Sequence, residues 1–200
     1  MTEKNYDREL LKQKFIEVRG YWDESLEGLL ELDPEYFEAY LNLTSIPWKR
    51  GHLDPKTKEF VYLAVYACAT HLYVPGIKFH IQKALELGAT KEELVEVFQL
   101  VSAVGVHTYL EGMPLLIEEL DRLGLMNYEL DDHKKKLKEE FIRKRGYWNE
   151  FWDGLLLIDD ESLQAYAHSS GIPWEKGPLT PKQKELIYIA GDASATHLFT

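Results

Sequence analysis

The sequence predicts an all-α protein, and three observations carry that prediction. Asp33–Pro34 and Asp54–Pro55 each place a capping aspartate before a proline, the residue that suits the first turn of a helix. Apolar residues recur three and four positions apart along most of the chain, which is the period of an amphipathic helix. No alternating apolar and polar run lies between turn signals, so no strand is predicted.

Start and stop signals place the helices in order. Thr90 with Glu93, and Thr180 with Gln183, have the spacing of a capping box at the start of a helix. The predicted helical segments are 5–31, 34–48, 56–72, 77–87, 91 toward Gly124, and the charged segment 127–145. A break is expected near Gly20, Ile46-Pro47-Trp48 ends the second segment, and Pro75-Gly76 precedes the fourth. Gly105 and Gly112 weaken the fifth.

One segment of the chain occurs twice. Residues 15–74 match residues 141–200 at a constant offset of 126 without gaps, and 30 of the 60 positions are identical. Solenoid repeats have periods of roughly 20–50 residues, so this longer offset predicts a duplicated domain instead. The expected domains are 1–126 and 127–200. We expect the second to be incomplete at its C-terminus, holding half of the site motif that the first holds in full.

The composition limits the classes of function. A formal net charge of −11 argues against nucleic acid, whose phosphates this surface would repel. The single cysteine, Cys68, excludes an internal disulfide and fits a reducing compartment. The polar N-terminal residues lack the apolar stretch of a secretory signal, and no uninterrupted apolar run approaches the ~18 residues of a membrane span. We therefore expect a cytoplasmic protein without nucleic-acid or membrane partners.

The segment 56–72 is apolar almost all round, so we expect this helix to be buried. Glu59 lies near its start, Tyr62 one turn later and His71 near its end. A carboxylate and an imidazole beside one pocket can abstract a proton and return it. The alternative is that the glutamate and the histidine stabilise the two ends of the helix dipole.

Further residues of this kind follow in the next helix. His80 precedes Ala84, Leu85 and the segment Gly88-Ala89-Thr90, and Glu93 comes three residues later. Together with Glu59 and its helix, this pattern resembles the carboxymuconolactone decarboxylase and alkylhydroperoxidase D family, over about residues 50–125 and in part over 176–200. The resemblance implies an alkylhydroperoxidase D-like helical fold. It also implies a trimeric or hexameric homo-oligomer with its active sites at subunit or repeat interfaces.

The family resemblance covers two activities. Its peroxidases carry a glutamate, then Cys-x-x-Cys, then a histidine four residues after the second cysteine. Counting back from His80, Tyr73 and Gly76 stand in the two cysteine places, and counting from Glu59 these places hold His71 and Val74. Neither register supplies a thiol pair, so we do not expect thiol peroxidase activity by that mechanism. Cys68 lies in the apolar helix, where a thiol is unreactive, and we expect it to be a packing residue.

The other members resemble gamma-carboxymuconolactone decarboxylase, which needs neither a cysteine pair nor a redox cofactor. The resemblance therefore implies a cofactor-independent acid–base enzyme, of decarboxylase or isomerase type, acting on a small organic acid or lactone. Glu59 and His80 match the family's proton-handling pair. The expected catalytic residues of both copies are Glu59, His71, His80, Glu185 and His197. The side chains expected to contact the substrate are Tyr62, Tyr73 and His107.

Other functions stay open. An antioxidant activity of the peroxiredoxin type would need a route without the cysteine pair. A metal site could draw on Cys68 and His71, three residues apart, with His80 and Glu59. A third possibility is a non-catalytic oligomeric scaffold, which predicts these side chains splayed at the surface. We expect neither a metal nor a cofactor.

Overall fold

The computed structural model describes residues 6–194, and the chain divides into two compact units, Met1–Pro55 and Lys56–Thr200. Within residues 6–194 all regular structure is helical, which confirms the all-α prediction. The α-helices are α1 (Arg8–Arg19), α2 (Glu27–Leu32), α3 (Pro34–Thr44), α4 (Ile46–Arg50), α5 (Pro55–Ala67), α6 (Val74–Glu86), α7 (Lys91–Ser102), α8 (His107–Arg122), α9 (Asp132–Arg145), α10 (Phe151–Ile158), α11 (Asp160–Lys176) and α12 (Pro181–Ser194).

The first unit contains α1 to α4 around a small apolar core. Asp7 caps α1 by accepting a hydrogen bond from the amide of Leu10, and α1 ends at Gly20, whose φ of 80° favours glycine. Asp33 caps α3 in the same way through the amide of Tyr36, as the sequence predicts. The buried side chains of this core are Leu11, Phe15, Leu30, Phe37 and Leu41.

The second unit contains two apolar cores. In the first, α5, α6 and α7 pack with α12, and Phe60, Leu63, Val97 and Leu100 are fully buried there. In the second, α9, α10 and α11 pack against one face of α8. The capping boxes predicted at the starts of α7 and α12 are both present. The first of these cores holds α5 and α6, the helices of the candidate site.

A buried ion pair fastens α7 to α12. The ammonium of Lys184 lies 3.1 Å from a carboxylate oxygen of Glu96, and both side chains are almost completely buried. Lys184 also donates to the carbonyl of Pro173 at 2.7 Å, while Glu96 accepts from the amide of Leu179 at 2.7 Å. These extra hydrogen bonds offset the cost of removing two charges from water.

Three helix boundaries differ from the sequence predictions. α5 ends at Ala67 rather than at residue 72, because the chain turns at Cys68 and reaches a positive φ of 44° at Leu72. α6 begins at Val74, so Pro75 lies in its first turn instead of breaking the chain. In the first unit α3 and α4 are separated at Ser45, whose hydroxyl donates to the carbonyl of Leu41 at 2.5 Å.

The helices of the two sequence copies have matching limits once the offset of 126 is added. α9, α10 and α12 correspond to α1, α2 and α5, and α11 spans the counterparts of both α3 and α4. Thr57 and Gln183 occupy the same place in the two copies, and the Gln183 amide donates to the Thr57 hydroxyl at 2.9 Å. α5 and α12 therefore contact each other through equivalent positions of the two copies. The domain limits 1–126 and 127–200 remain a prediction.

One helical stretch, Lys91–Arg122, is long and apolar enough to cross a membrane, with a mean hydropathy of 1.3. A single stretch of this kind is weak evidence, because the core helix of a soluble protein passes the same test. Its α7 part supplies Leu94, Val97 and Leu100 to the core. The cytoplasmic location remains a prediction.

Candidate acid–base site

Glu59 on α5 and His80 on α6 form a buried pair. A carboxylate oxygen of Glu59 lies 2.6 Å from Nδ1 of His80, and the two side chains are 2% and 7% exposed. A carboxylate that takes part in such a short contact accepts the hydrogen, so Nδ1 is the donor. The other ring nitrogen, Nε2, is then the atom of the imidazole that can exchange a proton with a ligand.

Two tyrosines of α5 stack on the imidazole of His80. Tyr62 and Tyr66 are one helical turn apart, and their ring centroids lie 5.0 and 5.1 Å from that of His80. The ring planes are within 12° and 15° of parallel. An imidazole stacked on two aromatic rings has little freedom to rotate, so this aromatic clamp, Tyr62 and Tyr66, keeps Nδ1 directed at Glu59.

Tyr66 is a site residue that the sequence reasoning missed. The available signal was its spacing, since Glu59, Tyr62 and Tyr66 are at i, i+3 and i+7 and therefore share one face of α5. Tyr62 is a predicted substrate contact, and the structure places it against the His80 imidazole. That substrate role is still a prediction.

The places where peroxidase relatives carry two cysteines are filled by an aromatic cluster. The rings of Tyr66 and Tyr73 lie 5.8 Å apart, and both press against Gly76. A Cβ atom at position 76 would come within 2.9 Å of Tyr66 and 2.8 Å of Tyr73. A cysteine at this position would therefore require one of the rings to move.

Cys68 and His71 lie on the turn after α5. Cys68 is fully buried, with its sulfur 3.8 Å from the carbonyl oxygen of Gly191. His71 is exposed, and its Nδ1 lies 3.1 Å from the hydroxyl of Thr70. Among residues 6–194 no three histidine, cysteine, aspartate or glutamate side chains converge as a metal site would require. The four ligands considered from the sequence do not form one cluster.

The second copy presents the same helix face in different surroundings. Glu185 is exposed and lines a cavity of about 200 Å³ together with Arg145, Tyr147 and Trp174. Tyr188 stacks on Trp174 at 6.3 Å, and burial raises the pKa of its hydroxyl above the usual value. His197 lies outside the described residues.

His107, predicted as a substrate contact, lies beside the second copy. Its Nδ1 is 3.9 Å from a carboxylate oxygen of Asp192 on α12. Asp192 stands at the position that Tyr66 occupies in the first copy. The structure therefore associates His107 with α12, whereas Glu59, His80 and Tyr62 come together between α5 and α6.

Comparison with known proteins places the chain in a family. A sequence model of the Carboxymuconolactone decarboxylase family matches residues 34–109. An uncharacterized protein of Methanocaldococcus jannaschii is 31% identical over 100 residues, which are 50% of this chain and 86% of the relative.

A crystal structure from Burkholderia xenovorans LB400 gives a more extensive match. That protein is provisionally described as a gamma-carboxymuconolactone decarboxylase subunit. It superposes with a TM-score of 0.90 and is 45% identical, and the match covers 98% of this chain and 80% of that one. The chain belongs to the carboxymuconolactone decarboxylase family.

Proposed function

We propose that the chain is a cofactor-independent acid–base enzyme of decarboxylase or isomerase type that acts on a small organic acid or lactone. One observation carries this proposal: the buried contact of 2.6 Å between Glu59 and His80, with two tyrosine rings stacked on the imidazole. An orienting carboxylate and a fixed imidazole are two of the parts that general acid–base catalysis needs.

The proposed pair can serve both reaction types. In an isomerisation, Nε2 takes a proton from the carbon next to a carbonyl and returns it to another carbon of the same substrate. In a decarboxylation, the bond to the carboxylate carbon breaks and CO₂ leaves. The protonated imidazole then gives its proton to the carbon that keeps the electron pair. In both cases Glu59 stabilises the imidazolium that forms.

The alternative of a thiol peroxidase has less support. The two cysteine places hold Tyr73 and Gly76, and the one cysteine of the chain is buried with its sulfur directed at the carbonyl of Gly191. The description of the solved relative as a gamma-carboxymuconolactone decarboxylase subunit also favours the lyase reading.

The experiment is a steady-state assay of the whole chain with gamma-carboxymuconolactone as substrate. The reaction is monitored through the release of CO₂ and through the change in ultraviolet absorbance. We expect His80→Gln to lower kcat by about 100-fold or more, the usual contribution of a positioned acid–base group. His71→Gln, a matched change on the exposed turn, should have a much smaller effect. Cys68→Ser should leave the rate within about twofold. Activity that survives His80→Gln, or disappears in Cys68→Ser, would contradict the proposal.

We further propose that the chain works as a homo-oligomer, a trimer or hexamer, in the cytoplasm. Exposed leucines on and after α8 support an assembly surface, since Leu115, Leu123 and Leu125 are each at least 60% exposed. Light scattering across a range of protein concentrations tests this. A monomer at every concentration would exclude it.

A further inference from the structure

The cavity of about 200 Å³ beside Glu185 is lined by α9, α11 and α12, all within the unit Lys56–Thr200. α9 contributes two cations to its wall, Lys144 and Arg145, while two carboxylates, Glu175 and Glu185, come from α11 and α12. The wall is therefore positive on one helix and negative on the other two. Cavities for drug-sized ligands measure about 300–1,000 Å³, so this smaller one suits a small metabolite.

Two of these four charges are specific to the second copy. Lys144 stands where the first copy has Val18, and Glu175 stands where it has Lys49. One position has therefore gained a cation, and the other has a carboxylate in place of a cation. The separation of charge across the cavity is a property of the second copy.

Two small residues of α11 enlarge the space between the charges. Ala167 and Gly171 line the cavity and stand where the first copy has Leu41 and Ser45. In that copy Leu41 is buried in the core of its own unit, and the Ser45 hydroxyl donates to its carbonyl. The cavity wall thus lacks most of a leucine side chain and all of a serine side chain.

The guanidinium of Arg145 is held in place at the cavity. One of its nitrogens donates to the hydroxyl of Ser170, which donates in turn to the carbonyl of Tyr166 at 2.6 Å. The guanidinium also lies 5.5 Å from the ring of Phe141. A guanidinium has several N–H donors, so the bond to Ser170 leaves others for a carboxylate.

We propose that this cavity binds a free α-amino acid with an apolar side chain. Its carboxylate contacts the two cations of α9, its ammonium contacts Glu175 and Glu185, and its side chain lies over Ala167 and Gly171. A simple anion would meet two carboxylates and a simple cation would meet two cations, so a zwitterion complements the wall best. This inference does not depend on the proposed catalytic function.

The test is equilibrium dialysis of the whole chain against radiolabelled L-leucine, and we expect saturable binding. Two unlabelled competitors each lack one charge, since L-leucinamide has no carboxylate and 4-methylpentanoate has no ammonium. Each should compete at least about tenfold more weakly than unlabelled L-leucine, because one side of the wall is then left without its partner.

Two substitutions at exposed positions separate the ends of the ligand. Lys144→Gln should weaken L-leucine by about fivefold or more and leave L-leucinamide unchanged, because only L-leucine carries a carboxylate. Glu175→Gln should weaken L-leucine to a similar extent without weakening 4-methylpentanoate. Arg143→Gln, a matched change at an exposed position of α9, should bind L-leucine as the unmodified chain does.

Ala167→Leu restores the residue of the first copy, fills the cavity and should also weaken L-leucine. The two exposed substitutions keep the test decisive if this variant does not fold. Absence of saturable L-leucine binding overturns the proposal. Equal competition by 4-methylpentanoate or by L-leucinamide overturns the zwitterionic ligand. Binding that Lys144→Gln and Glu175→Gln both leave unchanged would place L-leucine elsewhere and contradict the proposed site.

Discussion

Glu59 and Glu185 occupy the same position in the two sequence copies, yet they have opposite surroundings. Glu59 is buried and bonded to His80, while Glu185 is exposed at the edge of a cavity. One turn further, Tyr62 stacks on that histidine and Tyr188 stacks on Trp174. The same glutamate position in an apolar helix therefore has two different surroundings. Within residues 6–194 only Glu59 of the two contacts an imidazole, on which Tyr62 and Tyr66 stack.

The largest effect should come from the buried ion pair between Lys184 on α12 and Glu96 on α7. Lys184→Met leaves the carboxylate of Glu96 buried without its cation, and we expect the free energy of unfolding to fall by about 3–5 kcal/mol. Denaturant unfolding followed by circular dichroism measures this. Lys182→Met, at an exposed position of the same helix, should change little. An equal loss of unfolding free energy in both variants would show that the ion pair between Lys184 and Glu96 does not stabilise the packing of α12.

The second effect separates the two glutamates directly. Glu59→Gln should lower kcat by about 100-fold, because a neutral amide cannot stabilise an imidazolium as a carboxylate does. Glu185→Gln should leave kcat within about threefold. The same assay of gamma-carboxymuconolactone applies to both. An equal loss of kcat in the two variants would mean that Glu185 also belongs to an active site. The different surroundings of the two glutamates would then not explain their function.

The third effect concerns the clamp, and Tyr66 acts through His80 as a positioning residue. Tyr66→Leu should release one face of the imidazole and lower kcat by about tenfold, with KM little changed. Tyr66→Phe keeps the ring and should stay near the unmodified rate. Nitrogen NMR of the imidazole gives a separate readout. It should show one dominant tautomer in the unmodified chain and in Tyr66→Phe, and a mixture in Tyr66→Leu. If the unmodified chain, Tyr66→Phe and Tyr66→Leu all show the same tautomer, the aromatic clamp does not orient the imidazole.

The smallest effect is expected in alkaline solution at Tyr188. Burial raises the pKa of its hydroxyl, so the folded chain keeps this proton at a pH where the unfolded chain releases it. The stabilisation is present below the usual tyrosine pKa of about 10 and is lost as the pH rises through the higher folded value. Tyr188→Phe should reduce the loss of unfolding free energy above that pH. An unchanged alkaline slope would contradict the buried setting of Tyr188.

Much of the site could be predicted from the sequence because its parts carry local signals. The apolar helix identifies α5, the capping boxes locate the starts of α7 and α12, and the family pattern links Glu59 with His80. Tyr66 was missed because a tyrosine in an apolar helix is typical of core packing. Its role depends on where α6 places the imidazole, which no local signal encodes.

Helix boundaries show the same limit. Ile46-Pro47 and Ile172-Pro173 are identical dipeptides, but the chain breaks at Ser45 in the first copy and α11 continues through Pro173 in the second. The Ser45 hydroxyl bonds back to a carbonyl of its own helix, whereas Gly171 stands at that place in α11. Neighbouring contacts therefore decide which of two allowed conformations the same motif adopts.

The hydrogen bond between Thr57 and Gln183 joins equivalent positions of α5 and α12. In a dimer of identical chains, a residue at the axis faces its own copy, so a threonine meets a threonine. Within a single chain α5 and α12 are encoded separately, so the long amide donor of Gln183 can face the short hydroxyl acceptor of Thr57. Other equivalent positions of the two helices can differ in the same way. One face carries Tyr66 beside a histidine and the other carries Asp192 at the equivalent position, so the two halves of one chain present different side chains on matching helices.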